Sequence, residues 1–557
     1  MLSLSCGRTG LFTDPQPGVS PGASGNAGAL ASGGATNEIG PDTPEPGSPT
    51  QMPSPEPLDH LPEICIATTV DSGVRVPDGN ESSLVLVAPL TSARGPFELS
   101  SRKPFGQAFS PHGRRLAYID EQGLYTVEEW PPKPKLLSTQ SVPFEFAFID
   151  DRRLVDTTSS VIELQDLEHG TQRVLVQSDE FSATPPLYLA RPSPDGRWLA
   201  FAEYSPSRGI HQIFILSLET TPSEPELVYS LEPGAVTAWF DWAPNSEHLA
   251  FSVTDSQRLW LRAYAVVTRD AVGQAAPISF PLGDMQQLPT FQWSPDGSAL
   301  QYLFEGVDPQ TSETDFRVYY VDMAGDAPGA SVLLSAFDER SWADQGLWSP
   351  GSDLVAFSAN FAGADFRAAE FVADTRRGAP ARIAQQGGEF QSVPKQAWAP
   401  DGRSLYFTAI GSDQVERLYK SNLAGAAFQL STAAADTRGL YVSSELGCIA
   451  YSQFVPKPAL TIVEESTPSY FEIGQPQWNN PNWTGNFDSS FAVWVDDARG
   501  SRGLLYLTNS IEIGDTLAWV QVDDCRPSEP EVLIEGHTHQ TLGLPIVSTK
   551  RPWPDRE

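Results

Sequence analysis

The sequence is poor in basic side chains and has no long apolar run. Its 557 residues include 36 Lys and Arg against 70 Asp and Glu, which gives a formal net charge of −34. A field of that sign repels phosphate backbones and anionic lipid headgroups, so we expect no nucleic-acid partner. No stretch approaches the roughly 20 apolar residues that a membrane helix needs. Any membrane link is therefore expected to come through a lipid anchor.

Motifs of several enzyme classes are missing as well. The sequence has no Gly-x-x-x-x-Gly-Lys phosphate loop and no Cys-x-x-Cys pair. The Gly-x-Ser-x-Gly pattern of acyl-transfer nucleophiles occurs once, at residues 18–22, where Pro21 follows the serine and no strand pattern precedes it. No α/β segment supplies the rest of a serine-hydrolase site. These gaps predict a protein that is not an enzyme and that uses no cofactor and no metal.

Turn-forming residues are abundant instead. The 44 Gly and 49 Pro make up about 17% of the chain, which breaks helices too often for a helical bundle and favours short strands joined by turns. The 40% apolar content is enough for one large core or two ordinary ones. The composition therefore predicts an all-β fold.

The first 62 residues differ from the rest. Residues 14–62 are rich in Pro, Gly, Ser, Ala and Thr, and no Lys or Arg occurs between Arg8 and Arg75. Such a segment cannot bury enough apolar area to fold, so it is predicted to be a disordered tether. The preceding residues, with Ser5 before Cys6, resemble the end of a bacterial lipoprotein signal, although a basic start and an apolar run are absent. We expect lipidation at Cys6.

A repeated turn organises the remainder. An aromatic residue is followed two positions later by Pro, then by Asp-Gly or a substitute, then by an apolar strand. Pro presets φ at the second position of a tight turn, and Asp and Gly suit the positions after it, so the motif is predicted to be a hairpin turn. The turn residues are Pro111; Pro194, Asp195 and Gly196; Pro244; Pro295, Asp296 and Gly297; Pro350; Pro400, Asp401 and Gly402.

Two weaker copies, at Asp150 and at Ser444, bring the number of repeats to eight, spaced on average by about 48 residues. Each turn is followed by alternating apolar segments such as 212–218 and 226–229, which predict two more strands. Four short up-and-down strands in about 48 residues are typical of one propeller blade. The aromatic before each Pro, Trp293 for example, is predicted to fill the wedge between neighbouring sheets.

The motif resembles the TolB-type propeller repeat, with Trp293-Ser294-Pro295-Asp296-Gly297 and Trp398-Ala399-Pro400-Asp401-Gly402 close to its consensus. The resemblance covers residues 100–452 and implies a β-propeller, usually outside the cytoplasm when a lipoprotein carries it. It implies no single function, because such blades occur in binding scaffolds and in peptidases.

We predict one propeller over residues 63–545, followed by a tail at 546–557. Strand patterns near both ends raise the possible units to ten, whereas single propellers usually have four to eight blades. Some units are therefore expected to merge, with N- and C-terminal strands sharing a blade. Eight blades are preferred, and seven are the alternative.

Candidate site residues outside the repeat are few. His537 and His539 are spaced as in some metal sites, but no third ligand lies near them in sequence. The pairs Asp150-Asp151, Asp496-Asp497 and Asp523-Asp524 offer calcium ligands or an acid/base pair, and are interpreted as solvated turns. Besides Cys6, the cysteines are Cys65, Cys448 and Cys525, which allow three pairings or buried thiols.

Two functions remain open. The first is a non-enzymatic scaffold of the cell envelope, periplasmic or attached to the outer membrane, and monomeric. It would bind another envelope protein, for which the acidic charge favours a basic surface. The alternative is a carbohydrate-binding or hydrolytic propeller that uses its channel or one face, with Trp478, Trp483 and Trp494 as a sugar-stacking group.

Overall fold

The computed structural model describes most of the chain from Cys65 to Val547. The residues within this span that it does not describe are 77–78, 88–95, 103, 140–144, 159, 179–186, 206, 220–223, 232, 235, 255–260, 268–275, 278–290, 308–313, 326–327, 336–345, 362–366, 376–379, 383–391, 424–426, 432–439, 444–446, 454–458, 465–468, 474–491, 497–501, 511–513, 535–540 and 543–545. All described residues belong to one compact unit, Pro55–Glu557.

Every regular element among the described residues is a β-strand. The first half of the chain contains β1 (Ile66–Val76), β2 (Gly79–Val87), β3 (Phe97–Ser100), β4 (Gly106–Phe109), β5 (Leu116–Asp120), β6 (Gly123–Val127), β7 (Lys135–Ser138), β8 (Glu145–Phe148), β9 (Arg153–Thr157), β10 (Val161–Asp166), β11 (Thr171–Gln177), β12 (Leu187–Pro192), β13 (Trp198–Ser205), β14 (Ile210–Ser217), β15 (Glu226–Ser230), β16 (Val236–Trp242), β17 (His248–Thr254), β18 (Leu261–Val267) and β19 (Ala276–Pro277).

The second half continues the same alternation of strands and turns. It contains β20 (Phe291–Trp293), β21 (Ala299–Val307), β22 (Thr314–Asp322), β23 (Val332–Leu333), β24 (Leu347–Trp348), β25 (Leu354–Phe361), β26 (Arg367–Asp374), β27 (Pro380–Arg382), β28 (Ser392–Trp398), β29 (Leu405–Ile410), β30 (Glu416–Ser421), β31 (Ala427–Gln429), β32 (Tyr441–Val442), β33 (Cys448–Gln453), β34 (Ala459–Glu464), β35 (Tyr470–Ile473), β36 (Ala492–Asp496), β37 (Arg502–Ser510), β38 (Gly514–Asp523), β39 (Arg526–Pro527), β40 (Glu531–Ile534), β41 (Thr541–Leu542) and β42 (Ile546–Val547).

The strands form ten antiparallel sheets, which we number I to X along the chain. Sheets II to IX are four consecutive strands each, from β4–β7 through β32–β35, and sheet X contains β36–β40. Sheet I joins the two ends of the described chain, because β41 and β42 both pair with β1, which also pairs with β2. The all-β class, the four-stranded repeat and the sharing of one sheet by N- and C-terminal strands are confirmed.

The preferred count of about eight blades is exceeded, since the described residues form ten sheets. The eight sequence repeats correspond one by one to sheets II to IX. Sheets I and X lack the proline turn, so the count of sequence repeats does not include them, and some units were expected to merge. The one merger that the structure shows among the described residues is that of β1–β3 with β41 and β42.

In sheets II to X the first strand lies at the inner edge, whereas in sheet I that edge is formed by β41 and β42. Inner strands of successive sheets contact one another. Such contacts join β42 to β4, β4 to β8, β8 to β12, β12 to β16, β28 to β32, and β32 to β36. The apolar cores lie in the seams between neighbouring sheets, for example around Phe240 and Phe251 between sheets IV and V. The structure therefore builds its core as a series of seams, as propellers do.

Stacked aromatic pairs recur in these seams. The second strand of these sheets contains an apolar motif of three residues, such as Leu199-Ala200-Phe201. Its third residue faces an aromatic residue on the third strand, and the two rings stack. The pairs are Tyr118 with Tyr125, Phe201 with Phe214, Tyr302 with Tyr319, Phe357 with Phe371, and Phe407 with Tyr419, with ring centroids 5.1 to 5.7 Å apart.

The described residues contain no helix with the length and apolar character needed to cross a bilayer.

Candidate functional site

The proline motifs form the turns between the first and second strands of their sheets. In sheet VI the N–H of Gly297 donates to the carbonyl of Ser294 at 2.9 Å, and Gly297 adopts φ of 74°. The same bond and a positive φ occur at Gly113, Gly196 and Gly402. A Cβ on Gly297 would lie 2.7 Å from the side chain of Asn245 in sheet V. The glycine is therefore needed for both its conformation and its close contact.

Two turns use serine at this position. Ser246 and Ser352 adopt φ of 61° and 62°, so in sheet VII the left-handed residue is Ser352 rather than Gly351. Their hydroxyls accept hydrogen bonds from the backbone N–H groups of Asp195 at 3.0 Å and Asp296 at 3.1 Å, in the preceding sheets. Each serine thus adopts a left-handed conformation that is unfavourable for a non-glycine residue, and its hydroxyl accepts a hydrogen bond across a seam.

The repeat tryptophans close five seams in the same way. Each indole N–H donates to the carbonyl of an inner-strand residue in the preceding sheet, at 2.9 to 3.4 Å. The donors and acceptors are Trp242 to Arg191, Trp293 to Asp241, Trp348 to Gln292, Trp398 to Leu347, and Trp494 to Tyr441. This arrangement is the inter-sheet wedge that the sequence predicts.

The structure gives Trp494, a member of the predicted sugar-stacking group, a packing role. Its indole is used in the seam between sheets IX and X, where it packs against the apolar core of both sheets. Trp478 and Trp483 lie outside the described residues, so the hypothesis stays a prediction for those two.

Charged side chains gather at the inner edge of sheets III, IV and V. Arg191 of β12 forms an ion pair with Glu145 of β8, and both side chains are partly exposed. Asp241 of β16 is solvent-exposed and interacts electrostatically with Arg191. We call Glu145, Arg191 and Asp241 the inner-edge triad. Its members come from three sheets and are 46 and 50 residues apart in sequence.

The environment of Asp241 favours its protonated form. Desolvation by the surrounding protein raises its pKa to about 6, although the N–H of Trp242 and the charge of Arg191 both act to lower it. A carboxyl group with this pKa exchanges protons near neutral pH while remaining accessible to solvent. It therefore has the properties of a general acid or base.

The backbone around Arg191 is distorted. The pairing of β12 with β13 shifts register between Tyr188 and Arg191, and Leu189 in between adopts φ of 54°. For a non-glycine residue this conformation costs about 1–2 kcal/mol. The bulge lies two residues before Arg191, so the strain is stored beside the triad.

The two neighbouring tryptophans hold the triad in place. Trp242 bonds to the carbonyl of Arg191 at 2.9 Å, and Trp293 bonds to the carbonyl of Asp241 at 3.4 Å. Two members of the triad therefore stand on backbone that the structural repeat itself fixes. Sequence reasoning missed all three residues, because nothing in the local sequence distinguishes an inner-edge charge from a turn charge.

The sequence-predicted carboxylate pairs take other roles. The Oδ1 atom of Asp150 accepts hydrogen bonds from the N–H groups of Arg152 and Arg153, at 2.8 and 2.7 Å, which makes it a turn cap. Asp523 is the exposed last residue of β38, and Asp524 is an exposed turn residue after it.

No group of three potential metal ligands occurs in the part of the chain that the structure describes. His537, His539 and Asp497 lie outside that part, as do Cys6 and residues 18–22.

The cysteines pair in one of the open ways. Cys448 of β33 and Cys525 after β38 form a disulfide between sheets IX and X, with Cα atoms 5.5 Å apart. Cys65 is a fully buried thiol, and desolvation raises its pKa. The disulfide therefore reinforces the seam that Trp494 also closes.

Comparisons with known proteins relate the chain to propellers by structure alone. No protein-family model matches the sequence, and no curated protein matches it either. The propeller domain of the Trilobed protease from Pyrococcus furiosus is similar over 67% of this chain and 95% of its own, at 13% identity and a TM-score of 0.29. TolB from Acinetobacter baumannii is similar over 57% of this chain and 77% of its own, at 13% identity and a TM-score of 0.26. The fold is a TolB-like β-propeller.

Three further similar structures are peptidases. Dipeptidyl peptidase 4 of Porphyromonas gingivalis is similar over 76% of this chain and 59% of its own, at 10% identity and a TM-score of 0.43. A prolyl endopeptidase and the tricorn protease match as well, and the chain spans about half the length of these peptidases.

The expectation that the protein is not an enzyme is contradicted by the similarity to a prolyl endopeptidase, a dipeptidyl peptidase and the tricorn protease. That expectation relied on missing sequence motifs, and a site assembled from distant inner strands leaves no such motif.

Proposed function

We propose that the protein is a hydrolytic propeller that cleaves peptide bonds at the inner-edge triad. The observation that carries the proposal is the accessible carboxyl group of Asp241, whose pKa desolvation raises to about 6, beside the guanidinium of Arg191. Several of the structures that the chain resembles are peptidases, but the proposal depends on the triad and not on them.

In the proposed reaction, the Asp241 carboxylate takes a proton from a water molecule as that water attacks the peptide carbonyl carbon. The guanidinium of Arg191 stabilises the negative charge that develops on the carbonyl oxygen. Asp241 then donates the proton to the leaving amine as the C–N bond breaks. Glu145 keeps Arg191 in place through their ion pair.

Glycoside hydrolysis fits this geometry less well. It ordinarily needs two carboxyl groups on either side of the scissile bond. Of the two acidic members of the triad, Glu145 is already paired with Arg191. One titrating carboxyl group beside a cation suits an acyl bond better.

Hydrolysis of a mixed fluorogenic peptide set between pH 4.5 and 8 tests the proposal. Because the general base must be deprotonated, the rate is expected to rise with pH through about 6 and then level off. Asp241→Asn is expected to reduce the rate at least 100-fold. Asp523→Asn, which changes an exposed carboxylate at the end of β38, is the matched control and should retain the wild-type rate.

Failure of wild-type protein to cleave any peptide would reject the proposal, and so would equal rates for Asp241→Asn and wild type. A soluble polysaccharide panel run in parallel identifies the alternative substrate class. Cleavage there alone would replace the peptide proposal with a glycosidic one.

The cellular setting belongs to the same proposal. Lipidation at Cys6, a periplasmic or outer-membrane location and a basic envelope partner are supported by the sequence of residues 1–62 and by the net charge of −34. Mass spectrometry of the mature N-terminus from a bacterial expression host tests the anchor. A non-lipidated N-terminus on the secreted protein would reject it.

A further inference from the structure

One sheet departs from the aromatic pattern of the seams. In eight sheets the third residue of the apolar motif in the second strand is a fully buried ring. These rings are Tyr118, Phe201, Phe251, Tyr302, Phe357, Phe407, Tyr451 and Tyr506. In sheet III the corresponding motif is Leu154-Val155-Asp156, so a carboxyl group stands where the other sheets place an aromatic side chain.

The residue opposite Asp156 departs in the same way. The register that pairs Phe201 with Phe214 in sheet IV pairs Asp156 with Glu163 in sheet III. A stacked aromatic pair is therefore replaced by two carboxyl groups on the same face of the sheet. Directly opposed residues place their Cβ atoms about 4.5–5.5 Å apart.

This carboxyl pair is buried. Asp156 is 0% exposed and Glu163 is 8% exposed. The side-chain amide of Gln165 donates to Oδ1 of Asp156 at 3.3 Å, and the amide of Gln172 donates to Oε2 of Glu163. The second oxygen of Asp156, Oδ2, accepts no hydrogen bond from the described residues.

Among the described residues, no cation compensates the pair. Sheet II contributes Ala117, Ile119 and Leu124 to this seam, and none of them titrates. The inner strand of sheet III contributes Phe146, which lies opposite Asp156. The charge that acts on the pKa of Asp156 is that of Glu163, and it raises the pKa.

Two negative charges on neighbouring buried carboxyl groups repel each other strongly. One shared proton removes one of these charges and donates a hydrogen bond to the unpartnered oxygen. We propose that Asp156 and Glu163 bind one proton between them and that this proton closes the seam between sheets II and III. The proton comes from solvent, resides on one carboxyl group and is donated to an oxygen of the other. Loss of that proton at higher pH loosens the seam.

The consequence reaches the inner-edge triad. Strand β8, which pairs with β9 opposite Asp156, also carries Glu145 next to Phe146. A seam that loosens with rising pH therefore weakens the packing of β8, whose Glu145 forms the ion pair with Arg191. This coupling is an addition to the proposed function, and the proton site stands without it.

Urea unfolding of the full chain between pH 4 and 7.5 tests the proposal. Burial raises the pKa of Asp156 to about 6, against about 3.9 in an unfolded chain. The folded state then holds more protons between these values, so stability falls as pH rises from 4 to 6. The expected change in the unfolding constant is about 100-fold, from a shift of roughly two pKa units.

Asp156→Asn carries a neutral group of the same shape at every pH, so it should lack this loss. The ratio of the wild-type to the variant unfolding constant is expected to rise about 100-fold between pH 4 and 7.5. At pH 7.5 the variant should be more stable than wild type. Parallel pH curves for the two proteins would overturn the proposal.

Asp166 on the same strand as Glu163 supplies the matched control. A hydrogen bond from Arg152 lowers the pKa of Asp166, which stabilises its charged form. Asp166→Asn should therefore lose stability relative to wild type as pH rises, which is the opposite sign.

Glu163→Gln provides a second variant if Asp156→Asn does not fold, and the same gain at pH 7.5 is expected for it. A calcium titration at pH 7.5 separates a proton site from a cation site. No stabilisation by millimolar calcium supports the proton. Stabilisation by calcium equal to that produced by acidification would overturn the proposal in favour of a metal site.

Discussion

The seam between sheets V and VI and the seam between sheets II and III use the same backbone pairing with different side chains. In the first, Trp293 is 6% exposed and bonds to the carbonyl of Asp241, and Tyr302 stacks on Tyr319. In the second, Phe148 stands at the tryptophan position, and Asp156 and Glu163 replace the stacked rings. One seam is closed by apolar area and a neutral hydrogen bond, and the other contains groups that titrate.

The two seams therefore differ in the groups they bury: rings in one, and a pair of carboxyl groups in the other. The tryptophan seams fix the strands that carry Arg191 and Asp241. The II–III seam adjoins the strand that carries Glu145. A repeat architecture can place chemistry in one unit because its other units supply the stability.

The largest expected effect is at Trp293. Trp293→Ala removes a buried ring and a hydrogen bond from the V–VI seam, so we expect a loss of about 3–5 kcal/mol in the free energy of unfolding. Thermal unfolding measures it. Trp293→Phe keeps most of the ring volume and should lose less than half as much. An unchanged melting temperature for Trp293→Ala would contradict the comparison, because it would show that Trp293 does not stabilise the seam.

A smaller effect is expected at the turn of sheet VI. Gly297→Ala forces a residue at φ of 74° to carry a Cβ 2.7 Å from Asn245, so we expect a loss of about 2–3 kcal/mol in the free energy of unfolding, measured by urea titration.

Gly170 in sheet III is the matched control, since its φ is 62° and a Cβ added there would have no neighbour within 4 Å. Gly170→Ala should cost only about 1 kcal/mol, the conformational part of the effect. Equal losses for the two variants would show that contact between neighbouring turns contributes nothing to the seam.

The smallest effect is expected at Ser352. Ser352→Ala removes the hydroxyl that accepts from the N–H of Asp296 in the preceding sheet, at a cost of about 0.5–1.5 kcal/mol. Ser352→Gly loses the same bond but relieves the left-handed backbone, so it should be more stable than Ser352→Ala in urea unfolding. The reverse order would indicate that the positive φ stores no strain.

Much of the fold could be predicted from the sequence, because the turn motif repeats and each copy carries its own aromatic wedge. The total number of sheets could not, since sheets I and X have no proline turn. Pairing of Cys448 with Cys525 was likewise open, because it depends on which sheets become neighbours.

The candidate site was less predictable. Glu145, Arg191 and Asp241 come together through the stacking of three sheets, and no local sequence pattern predicts their proximity. Asp156 is different, since its place in the Leu-Val-Asp motif of sheet III could have been recognised as an exception to the aromatic position. Recognising it required the repeats to be compared position by position and not only counted.

Hydrogen exchange at pH 5 and pH 7.5, corrected for the intrinsic rate at each pH, tests the central claim most directly. The protection of amides in β9 and β10 is expected to fall with rising pH by at least tenfold more than that of amides in β21 and β22. Equal changes in the two pairs of strands would contradict the account, because the buried carboxyl groups would then behave like the stacked rings they replace.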